Sequence, residues 1–77
     1  MERSDEKTRG MMIEYLARML RANGVSLETT KGILRFISQD TRKMKALMDW
    51  LVEYQDMDLT ESQIIHAMGE INHYYSH

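Results

Sequence analysis

The sequence predicts an all-α fold: a small antiparallel bundle of four helices forming one domain over residues 1–77. Three observations predict it. Four segments of helical length carry apolar residues at i, i+3 and i+4 spacing, no window alternates apolar and polar residues with period two, and no proline interrupts any segment. The breaks between segments are Asn23-Gly24, the polar stretch Ser38-Gln39-Asp40, and Gln55 to Asp58.

The first helix is expected near 5–22, with Met12, Ile13, Leu16, Met19 and Leu20 on its inward stripe and residues 1–4 frayed. Asn23-Gly24 ends it as a left-handed C-terminal cap does, and Glu14 and Arg18 form an i, i+4 pair on its outer face. The second helix, near 26–38, opens on Ser26 as N-cap and turns Thr30, Ile33, Leu34 and Ile37 inward with Phe36 beside them. Gly32 in its interior weakens it by ~1 kcal/mol relative to Ala, so packing must hold it; without it the bundle would have three helices. The third, near 41–55, has Asp40 as N-cap and a stripe of Met44, Leu47, Met48, Leu51 and Tyr54, with Trp50 at its edge. The fourth, near 60–75, starts on a capping box of Thr60 and Gln63, with Leu59 and Ile64 as a hydrophobic staple. Its core stripe is Ile64, Met68, Ile71 and Tyr75.

The expected core is therefore Leu16, Met19, Ile33, Leu34, Ile37, Leu47, Met48, Leu51, Ile64, Met68 and Ile71. A 77-residue chain without cysteine lies near the size at which one unaided core supplies only ~3–5 kcal/mol, which makes association with another copy or a partner an early expectation. A shift of 34 residues lays Ser26, Leu34 and Ile37 over Thr60, Met68 and Ile71, so the two halves resemble two helical hairpins of about the length of a tetratricopeptide unit. The glycine, alanine and proline pattern of that family is absent.

Charge is polarised along the chain. Residues 1–45 hold all ten bases and six acids, a net +4, whereas residues 46–77 hold six acids and no Lys or Arg, a net -6. Opposite charges on neighbouring helices attract by under ~1 kcal/mol per exposed pair, and the same dipole suits a charged partner or head-to-tail association. The first residues are charged where a secretory leader needs an apolar segment, and no apolar run approaches the ~18 residues of a membrane span. The expectation is a cytoplasmic protein with no membrane contact.

Ile37-Ser38-Gln39-Asp40-Thr41, followed by Arg42, Lys43 and Lys45, resembles the turn and recognition-helix start of helix-turn-helix proteins, which implies DNA binding through those three bases. In that family the position four residues beyond the turn's Ser, and the one three residues later, are apolar and buried. Here they are Arg42 and Lys45, and the apolar stripe begins instead at Met44. With a net charge of -2 on the chain, nucleic acid is the runner-up.

His66, Glu70, His73 and His77 are spaced 4, 3 and 4, and Glu70 with His73 reproduces the Glu-x-x-His spacing of carboxylate-bridged di-iron bundles. At about 100° per residue, however, Met68, Ile71 and Tyr75 lie within about 40° of Ile64 while the His/Glu stripe lies about 180–240° away. That stripe faces outward, so no metal or other cofactor is expected. No Gly-rich phosphate loop, no nucleophile beside a base and no core-facing carboxylate pair is present, and so small a bundle leaves little room for a ~300 Å³ ligand pocket. No catalytic residues are assigned.

The apolar residues left over carry the functional expectation. Met11, Tyr15 and Met57 do not fit the inward stripes, and neither do Val52 and Ile65; with eight methionines in the chain they suggest an adaptable contact surface, expected near Met11, Tyr15, Val52 and Ile65. The reading is a small non-enzymatic interaction or regulatory protein that self-associates, as a homo-oligomer, or docks a partner helix.

Overall fold

The structure, a computed structural model, describes residues 2–76. It contains four helices: α1 Glu2–Ala22, α2 Leu27–Ile37, α3 Thr41–Glu53 and α4 Glu61–Tyr74, with no strand among the described residues. The all-α bundle is the observed architecture, and the second helix is present. α1 packs on α2 and α3, and α4 packs on α2 and α3, while α1 and α4 do not meet among the described residues. α1 is three residues longer at its start than the apolar pattern indicates. At 1.5 Å per residue its 21 residues span about 31 Å, which accounts for most of the 39 Å long axis. Glu6 to Gly10 are all exposed.

Each boundary follows from its capping chemistry. Gly24 has φ +85°; its N–H donates to Arg21 C=O at 3.0 Å, and the Val25 N–H donates to Leu20 C=O at 3.1 Å. This pair of bonds is a Schellman motif, and its accompanying apolar contact places Val25 against Leu20 in the core. Ser26 Oγ accepts from Thr29 N at 3.2 Å to start α2, and Asp40 Oδ1 accepts from Arg42 N at 2.9 Å to start α3. At α4 the capping box is complete: Thr60 Oγ1 accepts from Gln63 N at 3.2 Å and Gln63 Oε1 accepts from Thr60 N at 2.9 Å.

The core comprises Leu16, Leu20, Val25, Ile33, Ile37, Met44, Leu47, Leu51 and Ile64, with Ala67 buried as well. Each large aliphatic side chain buried here contributes about 1.5–3 kcal/mol. Six of the expected core residues are fully enclosed; Met19, Leu34, Met48, Met68 and Ile71 pack against the cluster from its margin. Phe36, expected beside the inward stripe of α2, is instead 57% exposed. It shares a flank of α2 with Thr29, and α2 packs most extensively on α1, so its remaining surface is only partly covered. Thr30 points inward as expected, and its Oγ1 is buried without a hydrogen-bond partner.

Candidate interaction surfaces

The three bases of the helix-turn-helix-like segment are engaged within the fold. Arg42 forms a two-point contact with Asp40, Nε to Oδ1 at 3.2 Å and Nη2 to Oδ2 at 3.0 Å, and its guanidinium lies 5.5 Å from the centre of the Tyr75 ring. The side-chain hydrogen bond from Arg42 holds the Asp40 carboxyl below its ordinary range. Lys43 Nζ donates to Asn72 Oδ1 at 2.7 Å, linking α3 to α4, and Lys45 Nζ meets Asp49 Oδ2 at 3.0 Å. Each cation thus has a partner on its own chain, and Arg42 and Lys45 remain largely exposed beside theirs.

On α4, His66, Glu70 and His73 are exposed, on the side opposite the buried Ile64. His66 Nε2 lies 3.0 Å from Glu70 Oε1. His77 lies outside the described residues. Among the described residues, no group of three acidic, His or Cys side chains could hold a metal ion. Among the described residues, no helix is long and apolar enough to cross a membrane.

All four interface candidates are exposed: Met11 at 63%, Tyr15 at 49%, Val52 at 45% and Ile65 at 42%. Helix geometry separates them into two groups. Thr8 and Met12 of α1 share a cleft with Thr41 of α3, which fixes the flanks these helices turn toward one another. At about 100° per residue, Tyr15 and Met11 lie about 100–140° from Leu16 on the Thr8 and Met12 side, and Val52 lies about 140° from Leu47 on the Thr41 side. Met11 and Tyr15 therefore lie on the α1 flank nearest Thr41, and Val52 lies on the same flank of α3 as Thr41, about three turns further along that helix. Ile65 is one turn beyond Glu61, whose carboxylate contacts Ser26 of α2, so it borders the α2 side of α4. Because α1 and α4 do not meet among the described residues, Ile65 lies on a helix apart from Met11 and Tyr15.

A second feature was not assigned from the sequence. Between the end of α3 and the first half of α4 runs an open groove of about 560 Å³, walled by Trp50, Tyr54, Met57 and Leu59 on one side and by Gln63, Ala67 and Glu70 on the other. Its volume exceeds what so small a bundle was expected to offer, because it is a surface furrow and not a hole in the core. The Trp50 and Tyr54 rings stand 5.1 Å apart at 46°, one helical turn from each other. The periodic signal placed both aromatics on or beside the inward stripe. Only the close approach of α3 and α4, with the exposed Met57 in the connection, makes a groove of them.

Comparison with protein families, curated proteins and solved structures finds no match to this chain.

Proposed function

We propose that this chain is a small non-enzymatic interaction module that self-associates through the α1–α3 face, with Met11, Tyr15 and Val52 at the centre of the contact. The observation that carries the reading is the exposure of three large apolar side chains on the flanks that α1 and α3 turn toward one another, in a bundle too small to cover them. Burying them against a second copy would add apolar area that a single core of this size lacks.

The charges around this face favour a second copy over a partner of one sign. Glu14 and Arg18 lie on the outer side of α1, and the Lys45–Asp49 pair lies on the outer side of α3, so both signs occur at the rim. A surface of mixed charge is able to complement itself across a two-fold axis. Ile65 lies on α4, which does not meet α1 among the described residues, and is left out of this contact.

The absence of cysteine makes the test simple. Val52→Cys or Tyr15→Cys, treated with a short bifunctional thiol reagent, should give a covalent dimer in high yield. Glu28→Cys, exposed at the start of α2, should not. Equal cross-linking at all three positions, or at none, would contradict the proposal.

A further inference from the structure

We infer that the α3–α4 groove is a second, separate docking site, and that its occupant is a basic amphipathic peptide segment presenting a large apolar side chain between Lys or Arg residues. The apolar half of this recognition rests on Trp50, Tyr54 and Met57, which wall an open furrow large enough for a Leu or Phe side chain. Met57 is mostly exposed, and an unbranched thioether beside two aromatic rings adapts its shape to an incoming group.

Charge identifies the occupant. Glu70 lines the groove beside His66, whose Nε2 lies 3.0 Å from its carboxylate, Asp56 and Asp58 flank Met57 in sequence and are exposed, and Glu53 is exposed on the last turn of α3. No Lys or Arg follows Lys45, so α4 and the connection that precedes it contribute acids and no Lys or Arg to the groove. The faces of Trp50 and Tyr54 add an electrostatic preference for a cation over an anion. A basic partner is steered to such a surface, and an acidic one is repelled.

A second copy of this chain is a poorer occupant. Arg42 and Lys45 each sit beside an acid, Asp40 and Asp49, so the base-rich start of α3 is not uniformly positive. A contact between the basic half of one copy and the acidic half of the next would also be head-to-tail, leaving an open groove at every chain end. The groove does not depend on the α1–α3 contact proposed above, and the two can fail separately.

Trp50 is the sole tryptophan, so its fluorescence reports from the groove itself. The full chain would be titrated with a synthetic amphipathic helix of Leu and Lys containing no aromatic residue. A second peptide would carry Glu in place of Lys, and a third Ser in place of Leu. The expected result is a saturable blue shift of Trp50 emission with the Leu/Lys peptide alone, weakening as salt is raised. Combining Glu53→Lys with Glu70→Lys should lower the affinity by about tenfold or more, and Met57→Ala, at an exposed position, should lower it with helicity unchanged. Tyr15→Glu should leave it unaltered. An unmoved emission, an equal response to the Glu peptide or to the Leu-free peptide, or unchanged binding by the charge-reversed variant would overturn the inference.

Discussion

Ser26 Oγ donates a hydrogen bond to Glu61 Oε1 at 3.2 Å, joining the N-cap of α2 to the first residue of α4 across 35 positions of sequence. The Glu61 carboxylate also bonds the Thr29 hydroxyl and sits where the positive end of the α2 dipole favours an anion. One acidic side chain thus serves its own helix start and that of a neighbour.

This contact predicts a specific acid sensitivity. The Thr29 hydroxyl, supported by Ser26, holds the Glu61 carboxyl below the ordinary glutamate range. A depressed folded-state pKa contributes stability above the unfolded value, and that contribution is lost as pH falls through the folded one. Urea midpoints should therefore show Glu61→Gln less stable than the parent near neutrality. The gap should narrow as pH falls from about 5 to below 4, across the range in which an unperturbed glutamate titrates. A gap independent of pH would contradict this assignment.

Thr30 offers a substitution in the stabilising direction. Its hydroxyl is buried and unpartnered, so Thr30→Val removes an unsatisfied polar group at nearly constant shape. Thermal unfolding should show a gain of about 1 kcal/mol. A loss of that size would mean that the hydroxyl has a partner in solution.

Two glycines should respond with opposite signs. Gly24 sits at φ +85° in the Schellman turn, so Gly24→Ala should cost about 1–2 kcal/mol even though a Cβ there meets nothing within 4 Å. Gly32 lies inside α2 with equally open space around it, and Gly32→Ala should stabilise by about 1 kcal/mol through helix propensity. Denaturation midpoints of the two variants test this directly.

Leu51 is fully buried at the centre of the core, and Leu51→Ala should cost roughly 2–5 kcal/mol. In a domain of this size, circular dichroism should show that loss as partial or complete unfolding at room temperature.

Periodicity and capping chemistry carry most of the fold in plain view. Thr60 with Gln63, Asp40 and Ser26 mark three helix starts, and Leu16, Ile33, Ile37, Leu47, Leu51 and Ile64 are enclosed as their spacing requires. Val25 escapes a helical pattern because it lies in a connection; its signal is local, an apolar residue placed just after the cap glycine. Phe36 shows the opposite limit, since a helical wheel locates a flank without telling how far a neighbour covers it. The outward direction of His66, Glu70 and His73 follows from 100° per residue alone. The grouping of Met11 and Tyr15 with Val52, away from Ile65, depends on which helices adjoin, and no single-helix pattern encodes that.

Solution mass by light scattering across a concentration series tests the self-association claim most directly. The parent chain should rise from monomer to dimer with concentration. Tyr15→Glu and Val52→Glu should stay monomeric with helicity intact, because a single charge is nearly harmless on an exposed face and costs several kcal/mol inside an apolar contact. Ile65→Glu should dimerise like the parent. A parent that remains monomeric at the highest concentration, or a dimer indifferent to Tyr15→Glu and Val52→Glu, would contradict the account.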